Sequence, residues 1–160
     1  MARYGGFWLR FVAYIIDAII VNVAVYAVSM VVGLVMGMAM RSAGTSSDFL
    51  MAMAGLVGGV FGLLASWLYF AILEASSLQG TFGKKALGMI VTDESGRRIG
   101  FGRATGRYFA KIISSIILLF GFFMIGWTER KRGLHDMIAG TLVYKASNSD
   151  EVTTNAAVFE

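Results

Sequence analysis

Three long apolar runs separated by polar segments set the pattern of this chain. The first two predict helices over about 11–35, extending as far as Met40, and about 49–73. Each is long enough to cross about 30 Å of hydrocarbon. The third run, Ile112–Trp127, spans roughly 24 Å as a helix, which is short for a crossing. It predicts either a third crossing or a re-entrant hairpin bent at Gly121, whose backbone would need protein or water around it.

The longest polar segment lies between the second and third runs. Within it, TFGKKALGM predicts one or two amphipathic helical turns at the membrane surface, and residues 89–99 predict a small β-hairpin around the turn DESG. The stretch GTFGKK lacks the spacing of a phosphate-binding loop and follows no strand, so nucleotide binding is not expected. We therefore predict an all-α polytopic membrane protein with three main hydrophobic helices and a small cytoplasmic β-hairpin or amphipathic segment. One domain covers 1–145, and a polar, disordered tail covers 146–160.

Composition supports a membrane protein, because 57% of the 160 residues are hydrophobic and only 15% are charged. Cysteine is absent and there is one histidine, so no thiol nucleophile, thiolate site or usual zinc site can be built. We expect no enzymatic activity, no metal and no cofactor. The net charge of +4 indicates basic flanks that contact anionic lipid headgroups, and we expect no nucleic-acid partner.

Basic residues are distributed unevenly among the segments that flank the apolar runs. They cluster before the first run and over 84–111, whereas Arg41 is alone in the 41–48 turn. The positive-inside rule therefore predicts a multi-pass protein of the cell membrane, with the N-terminus and the 75–110 segment in the cytoplasm. A simple third crossing would leave the C-terminus outside. The basic run 130–132 favours its return to the cytoplasm, which is the alternative that we prefer.

Glycines recur at helical spacing in the first two runs. Pairs four residues apart let two helix backbones approach closely in lipid. We prefer packing between the first two helices and keep a homodimer interface as the alternative. The glycines concerned are Gly33, Gly37, Gly55, Gly58, Gly59 and Gly62.

Two ionisable residues, Arg10 and Asp17, lie in the first apolar run and share one helix face. A third, Asp136, follows the last apolar run beside the lone His135. Charges on membrane segments are costly and normally have a partner or a water-filled path. This predicts a charge cluster formed by Arg10, Asp17 and Asp136.

Four further charges are secondary candidates for the cluster. Glu74 closes the second helix, where it either pairs with a basic residue or faces the interface. Arg107 and Lys111 belong to a basic stripe, for which we prefer snorkelling towards headgroups over contact with a carboxylate. His135 is expected to be a cap or an interfacial residue.

The arrangement resembles the RDD family of small membrane proteins, named for one Arg and two Asp. The matching residues are Arg10 and Asp17 in LRFVAYIIDAII and Asp136 in RGLHDMIAGTLV, and the link GTFGKKALGMIVTDESGRRIGFGRATGR is also similar. The resemblance covers about residues 10–144. It implies a helical integral membrane protein associated with transport, in some members exchange of sodium or another alkali cation for protons.

Two functions are consistent with this cluster. In the first, Asp17 and Asp136 line the path of a monovalent cation or proton, with Arg10 tuning their pKa values, and a homo-oligomer supplies the helices that one short chain lacks. In the second, Arg10 bridges one or both Asp residues as a structural clamp. The protein is then a non-transporting accessory or assembly partner of another membrane protein.

Overall fold

Over the residues that the structure describes, the fold is mostly helical, with two long apolar helices and one small sheet. The computed structural model describes residues 4–42, 44, 46–116, 125–126, 128 and 130–152. Its elements, in chain order, are α1 (Phe7–Ser42), α2 (Ser47–Ala75), α3 (Phe82–Ala86), β1 (Met89–Asp93), α4 (Phe101–Ile116), α5 (Leu134–Ile138) and β2 (Thr141–Lys145). Gly121 and most of the third apolar run lie outside the described residues, so neither the crossing nor the re-entrant bend is tested.

Helices α1 and α2 confirm the first two predicted helices and extend them at both ends. Both are long and apolar enough to cross a membrane. Helix α1 is rich in β-branched residues, which in water favour strands. In lipid, however, a helix satisfies every backbone hydrogen bond within the segment, and proline is absent from the whole sequence.

The chain divides into two compact units. Unit 1 comprises Met1–Asp17 and Tyr69–Glu160, and unit 2 comprises Ala18–Leu68. Unit 1 therefore contains the first turns of α1, the last turns of α2 and all the shorter elements. Unit 2 contains the remaining parts of the two long helices.

The predicted β-hairpin has the right first strand and the wrong partner. Strand β1 pairs in antiparallel register with β2, with Val91 opposite Val143, and not with the residues that follow its own turn. That turn makes only an isolated bridge between Thr92 and Arg98. The reason is burial, because β2 is an apolar strand that β1 can cover, whereas the Arg97–Arg98 side is charged and exposed.

The two strands are preceded by segments of the same design. Helix α3 and helix α5 are each five residues long, and each is followed by one residue and a glycine with positive φ, Gly88 at 65° and Gly140 at 58°. Glycine adopts this left-handed conformation without steric cost and turns the chain from helix into strand. Because the segments have equal lengths, Lys84 and Asp136 occupy the same position in α3 and α5.

A small apolar core lies around the sheet. Ile90, Leu142 and Tyr144 form it together with Ala146 and Val152 from the segment after β2. Tyr4 bridges and stacks on Tyr144, with ring centroids 5.0 Å apart. The described part of the predicted tail, 146–152, thus packs on unit 1 through two side chains. Residues 153–160 lie outside the described residues, and the domain boundary at 145 stays a prediction.

Candidate functional site

Arg10 and Asp136 meet in unit 1, as the sequence predicted. The first turn of α1 directs the Arg10 guanidinium towards α5, where Nη1 donates to Asp136 Oδ2. The other two nitrogens are also used, because Nε donates to Gly5 O at 2.7 Å and Nη2 to Lys131 O at 2.6 Å. Arg10 therefore holds three chain segments together with a fully engaged guanidinium.

Arg107 is the centre of the charged cluster. It projects from α4, is 1% exposed and contacts two carboxylates at once. Its Nε and Nη2 donate to Asp136 Oδ1 at 2.9 and 2.5 Å, and its Nη1 donates to Glu74 Oε2 at 2.8 Å. One planar guanidinium thus links the end of α2 to α5 through charge-assisted hydrogen bonds.

Glu74 also binds two lysines. Lys84 Nζ from α3 donates to Glu74 Oε1, and Lys111 Nζ from α4 lies 3.6 Å from the same oxygen. Lys111 Nζ also lies 4.3 Å from the centre of the Phe70 ring, which is cation–π geometry. We call the set of Arg10, Glu74, Lys84, Arg107, Lys111 and Asp136 the charge cluster.

The charge cluster contains four basic side chains and two carboxylates, and this excess shapes its protonation. Burial lowers the pKa of Lys84 to about 7, since Arg107 and Lys111 add repulsion that the attraction of Glu74 does not offset. Burial alone would raise the pKa of Asp136, but Arg107 and Arg10 hold it well below its usual range. Asp136 therefore stays ionised, and Lys84 titrates near neutral pH.

His135 lies beside Asp136 but stays uncharged. Its Nε2 is 3.4 Å from Asp136 Oδ1, and the residue is buried. Burial lowers the pKa of His135 to about 3, and the favourable contact with Asp136 only partly opposes that effect. The expectation of an interfacial or capping histidine is wrong, because the side chain packs inside unit 1.

Asp17 accepts hydrogen bonds from neutral donors in unit 1. Tyr69 OH donates to Asp17 Oδ1 at 2.7 Å, Thr81 Oγ1 to Oδ2 at 2.5 Å, and the Gly83 amide to Oδ1 at 2.8 Å. Among the described residues, Asp17 makes no ion pair. The predicted Arg–Asp–Asp cluster therefore separates into an Arg10–Asp136 ion pair and an Asp17 site bonded to neutral donors.

Gly83 makes the Asp17 site possible. A Cβ added at this position would collide with the Ala13 carbonyl oxygen and lie 2.9 Å from the Asp17 carboxylate. The start of α3 can approach α1 this closely only because the residue has no side chain.

Two of the secondary predictions need correction. Arg107 does not snorkel, and it is buried against the carboxylates of Glu74 and Asp136, while Lys111 faces Glu74. A stripe of like charges needs opposite charges to offset its repulsion. The two carboxylates provide them, in place of the expected lipid headgroups. For Glu74 the alternative of a basic partner is correct.

Sequence reasoning missed four site residues, namely Tyr69, Thr81, Gly83 and Lys84. Three of them lie in GTFGKK, for which the sequence predicts helical turns at the membrane surface and no phosphate loop, and neither interpretation places these side chains in the site. The available signal for the site was a glycine, Gly83, next to Lys84 in a segment otherwise suited to the membrane interface. Tyr69 gave none, because aromatic residues are common in apolar helices.

The helix-packing glycines lie in unit 2, where most of them have no close neighbour. A Cβ added at Gly62 would lie 3.6 Å from Val25, whereas at Gly33, Gly37, Gly55, Gly58 and Gly59 it would meet nothing within 4 Å. Only Gly62 thus shows the packing between α1 and α2 that we preferred. Gly33, Gly37 and Gly58 line a cavity of about 470 Å³.

The chemistry available to the site is that of charge pairing and hydrogen bonding. Among the described residues, no three His, Asp or Glu side chains converge as a metal site would require. The charge cluster can lock elements together through buried ion pairs. Asp17, with hydroxyl oxygens around it, offers the hard oxygen atoms that small cations prefer.

Comparison with known proteins gives one family and one relative. The RDD family model matches residues 4–140. The chain is also 43% identical over 152 residues to the uncharacterized protein YxaI of Bacillus subtilis (strain 168), with 91% of this chain and 100% of that protein covered. No solved structure matches.

Proposed function

This chain belongs to the RDD family, and we propose that its charge cluster is a structural clamp and that the protein serves as a non-transporting assembly partner of another membrane protein. In this proposal the clamp fixes α3, α4 and α5 to the ends of α1 and α2. We propose that the protein has no enzymatic activity. The lipid bilayer, with anionic headgroups at the basic flanks, is the other partner.

The observation that carries the clamp is the saturation of its two acids. Asp136 accepts from Arg10 and Arg107, and Glu74 contacts Lys84, Arg107 and Lys111. A carboxylate that exchanges a proton for a metal ion must first release such partners. Separating a buried ion pair leaves an uncompensated charge, at a cost of about 3–5 kcal/mol. A fixed clamp therefore agrees better with this geometry than a carboxylate that cycles between ligands.

The surface for an assembly partner is proposed in unit 2. Gly33 and Gly37 of α1 and Gly58 of α2 border the same apolar cavity. Small residues four apart allow another transmembrane helix to approach closely. That helix would come from a different membrane protein or, in a homo-oligomer, from a second copy of the chain.

The test compares glycines inside and outside the cavity. Gly37→Leu should abolish cross-linked complexes of full-length protein in its native membrane, because the leucine fills the approach surface. Gly59 does not border the cavity, so Gly59→Leu should leave the complexes intact. Thermal unfolding in detergent controls for folding of both variants. Equal effects of the two variants on the complexes would refute the assembly proposal.

A second candidate, exchange of a monovalent cation for protons, is favoured by Asp17 alone. This carboxylate is buried and has hydroxyl and amide donors but no ion pair among the described residues. A monovalent cation could bind this carboxylate without separating the ion pairs of the charge cluster. The two long helices that the structure describes enclose no path by themselves, so we propose that exchange would also require a homo-oligomer.

Exchange is tested with purified protein in sealed vesicles that contain a trapped pH dye. If it occurs, pulses of Na⁺, K⁺ or Li⁺ change the internal pH, and Asp17→Asn abolishes the change while keeping thermal stability. Asp136→Asn should instead lower stability, because it removes one acid from the clamp. No pH change with folded wild-type protein rejects autonomous exchange and favours the assembly partner.

We also propose a multi-pass arrangement in the cell membrane, with the N-terminus and the 75–110 segment on its cytoplasmic side. The support is the excess of basic residues in these segments over the single Arg41 of the 41–48 turn.

A further inference from the structure

Helix α4 is inverted compared with a helix of a water-soluble protein. Its buried face carries Arg107 together with the small residues Ala104, Ala110 and Ser114. Its exposed apolar residues are Phe101, Phe109, Ile112 and Ile113. At about 100° per residue these four positions fall within one arc of about 120°. The helix therefore turns the Arg107 guanidinium inwards and an apolar stripe outwards, while Arg103 near its start stays half-exposed.

The two short helices repeat this inversion. In α5, His135 and Asp136 are buried, whereas Met137 and Ile138 are 47% and 56% exposed. In α3, Lys84 is buried and Phe82 is 52% exposed. Three separate elements of unit 1 thus place charge inside and large apolar side chains outside.

Water does not favour this arrangement. A surface helix in water exposes its charged face and buries its apolar stripe, because buried charges lose hydration and exposed hydrocarbon orders solvent. In a bilayer both preferences reverse, since acyl chains solvate the apolar side chains and ionic groups need protein partners. The charge cluster supplies those partners.

We infer that the apolar surface of α3, α4 and α5 contacts lipid acyl chains, so that the charge cluster lies within the membrane and not in a water-facing domain. We call this surface the apolar collar, and it consists of Phe82, Phe101, Phe109, Ile112, Ile113, Met137 and Ile138. The inference rests on the proposed membrane location and extends it from the two long helices to the short ones.

Lipid is the occupant that the rest of unit 1 supports. The first turns of α1, a helix apolar enough to cross a membrane, belong to the same unit and expose Trp8 and Phe11. The unit also presents basic side chains to solvent at Arg97, Arg98 and Arg103, which complement anionic headgroups. Apolar surface beside exposed arginine and tryptophan is typical of the boundary between acyl chains and headgroups.

The test uses spin labels on single cysteines, which is simple because the chain has no native cysteine. Phe109→Cys and Met137→Cys carry the label in the collar, with full-length protein in nanodiscs of neutral and anionic phospholipid. Met30→Cys on α1 is the lipid reference, and Ser95→Cys in the exposed turn after β1 is the water reference. Collision with oxygen reports lipid, and collision with a water-soluble nickel chelate reports solvent.

We expect the collar labels to match the Met30→Cys label, with oxygen broadening above nickel broadening and the opposite ratio at Ser95→Cys. Ile113→Cys and Ile138→Cys lie on the same faces and replace any variant that does not fold. Nickel access equal to that at Ser95→Cys would overturn the inference and leave the long helices in the membrane. Labels immobilised and shielded from both agents would show that protein covers the collar, which also overturns it. A Met30→Cys label in water would overturn the membrane location itself.

Discussion

At the scale of single residues, the most consequential side chain is Arg107, which no motif singled out. It is buried and pairs with both acids of the charge cluster, whereas its neighbour in the basic stripe, Arg103, is half-exposed and lies 3.8 Å from Asp93. Spacing four residues apart made the two arginines look equivalent. Their environments make one a structural centre and the other a weakly paired surface charge.

The first prediction follows from that contrast. Arg107→Met leaves Glu74 and Asp136 buried without their shared partner, which should lower the free energy of unfolding by about 3–5 kcal/mol. Arg103→Met, the matched control, should lower it by about 0–1 kcal/mol. Thermal or denaturant unfolding in detergent measures both. Similar losses for the two variants would contradict the central role of Arg107.

The second prediction concerns pH and His135. The folded protein keeps this histidine neutral because its pKa is about 3, while the unfolded chain binds a proton near 6.5. The unfolded state therefore binds more protons between these values, and stability must fall as pH falls from 6.5 towards 3. By about pH 5 the loss from this one group should be about 2 kcal/mol.

The variant His135→Gln isolates that contribution. Its stability should change less than that of wild type between about pH 7.5 and pH 5, a window in which carboxylates of ordinary pKa remain ionised. Denaturant unfolding at several pH values measures the difference. Parallel stability curves for wild type and variant would show that another group controls the acid response.

At the scale of elements, unit 1 contains two helix–glycine–strand segments. These are α3–Gly88–β1 and α5–Gly140–β2, and their strands pair with each other. Each contributes a buried charge from the third position of its short helix, Lys84 in α3 and Asp136 in α5. Such short helices have little stability of their own. The paired strands and the ion pairs to longer helices hold them in place, so the close contact of α3 with α1 is critical.

The third prediction tests that contact through glycine. Gly83→Ala should destabilise the protein strongly, since the new methyl group collides with the Ala13 carbonyl and crowds Asp17. Gly106→Ala, in the exposed interior of α4 with nothing within 4 Å, should stabilise by about 0.5–1 kcal/mol through helix propensity. Thermal unfolding of both variants gives the comparison. Tolerance of alanine at 83 would refute the tight approach.

At the scale of the whole molecule, strand pairing bears on topology. Strand β1 follows α2, β2 lies near the C-terminus, and Tyr4 bridges to Tyr144. Hydrogen-bonded segments must lie on the same side of a membrane. On this basis we propose that the C-terminal basic residues return to the side of β1, in preference to a simple third crossing.

The fourth prediction is that residues 95 and 148 are reached from the same side of the membrane. Ser95→Cys and Asn148→Cys, both exposed, should react with a membrane-impermeant maleimide only after the cells are permeabilised. Ser46→Cys, in the turn between the long helices, should react in intact cells. Reaction of Asn148→Cys in intact cells while Ser95→Cys remains protected would contradict the β1–β2 pairing.

The residues themselves determined the two long helices and the first strand, and they identified Arg10, Asp17 and Asp136 as groups that need partners. Hydrophobic length and the cost of isolated charge are local properties, and a sequence displays them directly. The sequence also identifies Glu74 and Arg107 as candidate charges, but it does not show their roles. Glu74 and Arg107 are 33 positions apart, and nothing local shows that their side chains meet.

Only the tertiary structure decided which charged groups and which strands pair with each other. In the structure, Arg10 forms an ion pair with Asp136, and Asp17 accepts hydrogen bonds from hydroxyl and amide donors. Strand β1 pairs with β2 across almost 50 residues of chain. The physical reason is that a buried charge or strand edge must be satisfied by whichever partner folding brings near, and several candidates had suitable chemistry. The sequence thus determined which groups need partners, and the fold selected the partners.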